Sequence, residues 1–164
     1  MKKELTEVYC GSASGKTSLA LGQCIRAAAH GESVIIIQFL KGREKRSLDF
    51  LEDLDNLDLK FFRFEKHGCC YDQLTEEEQE EERFNIRNGL NFARKVISTQ
   101  ECDFLVLDEI LGVIELGIVS VEDVAEVLRQ KDESMRLVMT GEHLPDGLKP
   151  YVDAVTRLVP ERIE

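Results

Sequence analysis

The chain has 164 residues, of which 43% are hydrophobic and 32% charged, a balance that can bury the core of one domain spanning 1–164. Its formal net charge of −11 argues against nucleic acid as the main partner, because a phosphate backbone repels an acidic surface. The sequence has no apolar run near the roughly 20 residues of a membrane span and no apolar secretion signal at its start, so we expect a cytoplasmic protein without a membrane partner.

Apolar patterning predicts that strands and helices alternate along the chain. Strands are expected at about 5–10, 33–39, 57–64, 104–109, 135–140 and 154–159. Helices are expected at about 16–30, from 76 onward with a buried stripe that includes Ile86, Leu90, Ala93 and Ile97, and from 121 to about 130. The alternation predicts an α/β fold, with a mostly parallel sheet of about six strands and helices on both faces. In such a sheet ligands bind at the carboxyl ends of the strands.

Two charged segments require interpretation. The basic stretch 41–46 is either a solvated loop, which we favour, or a mobile cover over an anionic ligand. The acidic run 76–82 is interpreted as the solvated first turns of the longest helix, because negative charge is favourable at a helix N-terminus. Thr75 and Glu78 have the spacing of a capping box and mark the start of that helix.

The five cysteines do not predict a disulfide framework or a structural zinc site. Their number is odd and no CxxC pair is present. Cys10, Cys24 and Cys102 lie in or beside apolar segments, so we expect them in the core. Cys69 and Cys70 are adjacent in a polar segment.

The strongest chemical signal lies between the first strand and the first helix. It consists of Gly11, Ser12, Ala13, Ser14, Gly15, Lys16, Thr17 and Ser18. The glycines let backbone N–H groups converge on phosphate oxygens, and the helix N-terminus adds partial positive charge. Lys16 supplies a full positive charge, and the Thr17 or Ser18 hydroxyl can bind Mg²⁺. The pattern GxxxGKT is one residue shorter than the usual P-loop, and it predicts a site for the triphosphate of ATP.

Asp108 and Glu109 end the buried strand at 104–109. A Mg²⁺–triphosphate complex requires such a carboxylate, directly or through water. The alternative is a pair of acids that begin a helix, since Asp is a good N-cap residue. We favour the metal role, which predicts a Mg²⁺ site formed by Thr17, Asp108 and Glu109.

Further segments accompany the short P-loop, namely RAAAHG at 26–31, VIIIQFLKG at 34–42, LVLDE at 105–109, TG at 140–141 and DAVT at 153–156. Together they resemble the ATP:corrinoid adenosyltransferase family of the P-loop type, over about residues 6–158. The resemblance implies a RecA-like P-loop NTPase fold and transfer of the 5′-deoxyadenosyl group of ATP to a Co(I) corrinoid, with release of tripolyphosphate. It also implies a homodimer and allows a flavoprotein reductant as a further partner.

By match to the family, the backbone of 11–15 with Lys16 and Thr17 would hold the triphosphate. Three positions depart from the family pattern. Ser14 stands where the family has a second Lys. The aromatic pair of the family's GFSW-like segment is replaced within Gly68-Cys69-Cys70-Tyr71, so that the face toward the corrinoid would carry Cys69 and Tyr71. The family's TGR reads Thr-Gly-Glu at 140–142.

These departures keep plainer interpretations open. The alternative for Cys69 is that it is simply a small residue in a loop. The alternative for Tyr71 is that it is an ordinary half-buried aromatic residue. Two other functions also fit the motifs. One is a non-catalytic paralogue that binds ATP or corrinoid, and the other is a P-loop kinase or hydrolase with a different acceptor.

Overall fold

The computed structural model describes residues 4–40 and 49–164, and the basic stretch 41–46 lies outside these residues. Its centre is one six-stranded sheet with the order β3-β2-β4-β5-β1-β6, in which every neighbouring pair is parallel. The strands are β1 (Thr6–Cys10), β2 (Val34–Phe39), β3 (Leu59–Phe64), β4 (Phe104–Asp108), β5 (Arg136–Thr140) and β6 (Ala154–Arg157). The predicted α/β fold with a parallel sheet is confirmed.

Helices cover both faces of this sheet. They are α1 (Lys16–Ala29), α2 (Glu76–Ser98), α3 (Ile110–Glu115) and α4 (Val121–Arg129), with short 3₁₀ helices at Asp49–Asp53, Tyr71–Gln73 and Asp146–Tyr151. Side chains of α2, α3 and α4 pack into one apolar cluster, and those of α1 pack into a second cluster on the opposite face. Every residue of β2 and β4 is buried, as expected for central parallel strands. None of the helices in the described ranges is long and apolar enough to cross a membrane.

The sequence patterns do not predict α3. Its six residues, ILGVIE, are almost all apolar and too few to reveal a helical period. The helix forms because it follows β4 directly and buries Ile110, Leu111 and Val113 against the sheet. Burial in the tertiary structure therefore decides the conformation of this segment.

The predicted start of α2 is confirmed, since Thr75 and Glu78 form a complete capping box. The prediction that the acidic run 76–82 is solvated is wrong for Glu82, of which only 3% is exposed. Its carboxylate accepts hydrogen bonds from the backbone N–H groups of Lys66 and His67, which replace the water it loses on burial.

Candidate functional site

The P-loop connects the carboxyl end of β1 to the first turn of α1. Gly11 has φ 114° and Gly15 has φ 102°, a left-handed region that favours glycine. A Cβ atom on Gly11 would overlap the carbonyl oxygen of Leu158, whereas one on Gly15 would meet open space. Gly11 is therefore required by both conformation and packing, and Gly15 by conformation alone.

Two segments from the C-terminal part of the chain brace this loop. The N–H of Gly11 donates to the carbonyl oxygen of Glu142 at 2.9 Å, and the N–H of Ala13 donates to that of Leu158 at 3.1 Å. The Lys16 ammonium donates to the carbonyl oxygens of Gly11 and Ala13 at 2.8 and 2.9 Å, so the side chain folds back over the loop. The first turn of α1 carries no acidic residue, which leaves its positive end available to an anion.

Asp108 lies at the end of β4, and only 1% of it is exposed. Its carboxylate accepts hydrogen bonds from the Thr17 hydroxyl at 2.9 and 3.1 Å. It also accepts one from the Gln38 amide at 2.9 Å and one from the Thr140 hydroxyl at 2.7 Å. The structure thus brings together Thr17 and Asp108, which the sequence predicted as parts of one site.

The donors that surround Asp108 in these contacts are neutral, so they orient its carboxylate without neutralising it. Carboxylate and hydroxyl oxygens are the ligands that Mg²⁺ prefers. Residues 4–40 and 49–164 contain no cluster of three or more His, Cys, Asp or Glu side chains that could hold a metal. A metal ion at Asp108 would therefore need ligands besides such side chains, and the Thr17 hydroxyl, water and phosphate oxygens are of the kind that Mg²⁺ accepts.

Glu109 adopts a left-handed conformation, with φ 64°. Its backbone N–H donates to the Thr140 hydroxyl at 2.8 Å, which links it to the same network as Asp108. Glu109 occupies the N-cap position of α3, but its side chain makes no capping hydrogen bond. Its carboxylate lies over the first turn of α3, where Oε2 would be 3.0 Å from a Cβ atom on Gly112, and its role in a metal site stays a prediction.

Comparisons with known proteins agree with this geometry. A family model described as "ATP:corrinoid adenosyltransferase BtuR/CobO/CobP" matches residues 2–162.

The chain belongs to the ATP:corrinoid adenosyltransferase family.

Its relatives in this family include the corrinoid adenosyltransferase of Escherichia coli K12, which is 24% identical over 153 residues, covering 93% of this chain and 75% of that protein. Corrinoid adenosyltransferase CobA of Salmonella typhimurium is 22% identical over 162 residues, with the same two coverages. The KaiC-like protein PH0186 of Pyrococcus horikoshii superposes with a TM-score of 0.63 at 17% identity, covering 99% of this chain and 75% of that one. This likeness concerns the fold alone, and it confirms the predicted RecA-like, P-loop NTPase-like fold.

Two residues of the site were not assigned a role from the sequence. Gln38 is a buried amide in an otherwise apolar strand, and in the sheet it is directly opposite Asp108. Its carbonyl oxygen accepts a hydrogen bond from Arg63 at 3.3 Å while its amide nitrogen donates to Asp108. Thr140 ends β5 and contacts both acids. A lone Gln within a run of Ile and Val was the signal that could have revealed the first of these residues.

Cys69 and Tyr71 follow β3 at the far edge of the sheet. Four strand spacings of about 4.8 Å, or roughly 19 Å, separate β3 from β1 and its P-loop. Cys69 is exposed, whereas Tyr71 is partly buried and packs against the cluster on the α2 face. The Tyr71 hydroxyl accepts a hydrogen bond from Arg83 at 2.7 Å.

The other departures from the family pattern lie at the P-loop. Ser14 is exposed at the tip of the loop. Glu142 is exposed as well, and its carbonyl oxygen receives the N–H of Gly11, so this acidic residue lies beside the start of the loop.

The remaining thiols behave as the sequence predicted. Cys10, Cys24 and Cys102 are buried. Burial raises the pKa of Cys24 and of Cys102 to about 12, so both stay protonated and unreactive at neutral pH.

Proposed function

We propose that the protein transfers the 5′-deoxyadenosyl group of ATP to a Co(I) corrinoid and releases tripolyphosphate. Membership of the family supports the choice of acceptor. The single observation that carries the nucleotide part is the hydrogen bond from Thr17 to Asp108, which joins the P-loop to the end of β4. The acidic net charge and the short P-loop agree with a small-molecule enzyme rather than a nucleic-acid binder.

The triphosphate would lie on the P-loop, residues 11–18. Its oxygens would accept hydrogen bonds from backbone N–H groups at the start of α1, and the Lys16 ammonium would turn from the loop carbonyls toward them. Mg²⁺ would be held by Thr17 together with Asp108 or Glu109, and when bound it would neutralise charge on the phosphates. Asp108 fits this role because its hydrogen-bond donors are neutral side chains.

The reaction requires no nucleophile from the protein, because the corrinoid is a substrate whose Co(I) supplies the electron pair. That pair forms the Co–C bond to the 5′ carbon of ATP. The bond from this carbon to the triphosphate oxygen breaks, and its electrons leave with the triphosphate. Lys16 and the amides of the P-loop stabilise the charge that develops there, while the fold keeps the two substrates aligned.

We assign the corrinoid to the region of Cys69 and Tyr71. The family resemblance supports this assignment, as does the position of both residues beyond the carboxyl end of β3. Tyr71 offers an aromatic ring that can cover one face of a flat macrocycle. We further propose a cytoplasmic homodimer that receives reducing equivalents from a flavoprotein, which is what the family resemblance implies.

A non-catalytic paralogue that binds ATP is the second candidate. The observation that favours it is Glu142, an acidic residue whose backbone carbonyl oxygen accepts the N–H of Gly11 and whose exposed side chain therefore starts next to the P-loop. A carboxylate near the loop would oppose the additional negative charge that the triphosphate gains as it leaves, so ATP that binds but is not turned over is the expected behaviour if Glu142 dominates.

The experiment is incubation with ATP, Mg²⁺ and a chemically reduced Co(I) corrinoid. The visible spectrum reports the Co–C bond and chromatography identifies the phosphate product. An adenosylated corrinoid with tripolyphosphate supports the proposal. ADP would indicate a kinase or hydrolase, and unchanged ATP with measurable binding would indicate the paralogue. The variant without the P-loop lysine is Lys16→Ala, and its matched control is Lys95→Ala, which removes an exposed lysine of α2.

A further inference from the structure

The first turns of α2 hold the loop formed by residues 66–71, which connects β3 to the 3₁₀ helix at Tyr71. Glu82 is the central contact, because its carboxylate is buried and accepts two backbone donors. The N–H of Lys66 lies 3.2 and 3.1 Å from its two oxygens, and the N–H of His67 lies 3.1 Å from one of them. The N-terminal end of the loop is thus attached to α2 through its backbone.

The C-terminal end of the loop is attached to the same helix. Arg83 donates to the Tyr71 hydroxyl at 2.7 Å, and the Gln79 side chain donates to the Tyr71 carbonyl oxygen at 3.1 Å. Gln79, Glu82 and Arg83 lie within about one turn of helix, so a single rigid element sets both ends of the loop.

Glu82 differs from its acidic neighbours because its side chain is buried. Glu81 also contacts this loop, through Lys66 at 2.8 Å, but both side chains of that ion pair are about half exposed. Exposed ion pairs contribute little to stability, whereas a buried carboxylate is tolerated only where hydrogen bonds replace its lost water. The two backbone donors provide this replacement, so the fold keeps Glu82 buried only while the loop stays in place.

We infer that Glu82 is a positioning residue for the corrinoid, which it serves by holding residues 66–71 in the conformation that presents Cys69 and Tyr71. The inference rests on the proposed function. A loop that is ordered before binding loses less conformational entropy when the macrocycle binds. More of the free energy of its contacts with the macrocycle therefore contributes to binding affinity. Because Glu82 is buried beneath the loop, its effect should fall on corrinoid binding through the loop and leave ATP binding unchanged.

The test compares Glu82→Gln with Glu80→Gln in the full chain. Both changes remove one negative charge from the start of α2, but Glu80 is exposed. The amide that replaces the Glu82 carboxylate offers one acceptor oxygen instead of two, and its NH₂ group cannot accept the loop N–H groups. We expect Glu82→Gln to raise the KM for Co(I) corrinoid about tenfold, to change kcat less than about twofold, and to leave the ATP-induced thermal shift unchanged. Glu80→Gln should behave as the parent protein in all three.

Hydrogen exchange supplies a readout that does not depend on corrinoid. The backbone amides of Lys66 and His67 should exchange about tenfold faster in Glu82→Gln than in Glu80→Gln, because their acceptor is weakened. If Glu82→Gln fails to fold, Arg83→Met applies the same test at the other end of the loop, where it removes the hydrogen bond to the Tyr71 hydroxyl.

Unchanged exchange at Lys66 and His67 would overturn the role of Glu82 in the loop. Faster exchange with an unaltered corrinoid KM would show that the ordered loop does not serve the corrinoid, and would also overturn the inference. Absence of corrinoid binding in the parent protein would refute the proposed function instead, and the exchange experiment distinguishes that result from a failure of the loop contact.

Discussion

The edge of the sheet where the P-loop meets Asp108, called here the P-loop edge, and the loop at 66–71 are held together by different kinds of contact. At the P-loop edge, side chains from separate strands and from α1 meet at one carboxylate, Asp108. In the loop, one helix binds backbone amides through a carboxylate that belongs to no motif, Glu82. The first arrangement tolerates little change where Asp108 is buried and Gly11 packs against Leu158, whereas the second leaves Cys69 exposed and open to substitution.

The largest effect is expected from Gly11→Ala at the tightly packed edge. The new Cβ would overlap the Leu158 carbonyl and the backbone would stay left-handed, so the free energy of unfolding should fall by about 3 kcal/mol. Gly15→Ala is the matched control, since it meets no atoms and carries only the backbone penalty of about 1–2 kcal/mol. Urea denaturation measures both. Equal losses would mean that packing around Gly11 is not tight.

Lys16→Ala should remove the response to nucleotide. At a concentration of ATP·Mg²⁺ one hundred times its Kd, the parent protein should gain about 2.7 kcal/mol of stability, and the variant should lose most of this gain while its unliganded stability stays close to the parent's. Thermal melting with and without ATP measures the effect, and Lys95→Ala should respond as the parent does. Absence of an ATP-induced shift in the parent would refute the nucleotide site.

The variants Asp108→Asn and Glu109→Gln distinguish the roles of the two acids in binding Mg²⁺. Asn at 108 presents an NH₂ group to hydroxyl and amide donors, so we expect a loss of about 1–3 kcal/mol in the free energy of unfolding. At least one of the two variants should bind ATP with reduced dependence on Mg²⁺, as calorimetric titration at several Mg²⁺ concentrations would show. Two variants that titrate with Mg²⁺ as the parent does would remove both acids from the metal site.

The smallest effect on stability is expected at the exposed loop. Cys69→Phe should change the free energy of unfolding by less than about 0.5 kcal/mol, because the side chain is exposed. We expect the parent protein to form four-coordinate Co(II) corrinoid poorly, since a small thiol cannot occupy the space of the lower axial ligand. The phenyl ring that Cys69→Phe introduces should increase the population of four-coordinate Co(II) corrinoid.

Paramagnetic resonance of bound Co(II) cobalamin with ATP measures this population, and Cys69→Ser, which keeps the size of the side chain, is the control. A largely four-coordinate signal in the parent protein would show that Tyr71 is sufficient without a second aromatic residue.

The sequence could predict the fold and the meeting of Thr17 with Asp108, because strand ends in a parallel sheet share one edge and both residues lie in recognisable patterns. It could not predict the role of Gln38, since the register that aligns β2 with β4 is a tertiary property. The prediction that Glu82 is solvated was wrong for a related reason. The run of acids contains no local sign that one of them is buried against a loop 15 residues earlier. The roles of the remaining P-loop residues, of Glu109 and of Cys69 and Tyr71 stay predictions.

The bracing of the P-loop by distant segments has a consequence for biosynthesis. Strand β1 lies between β5 and β6, and its residue Thr6 pairs with Leu137, 131 residues later. At about 5–20 residues per second, a ribosome needs roughly 7–26 s to make this stretch, during which β1 has neither neighbour. Leu158, which fixes Ala13, emerges later still. The P-loop can therefore take its braced form only in the completed chain, and during that interval the apolar residues of β1 lack the two strands that bury them in the fold.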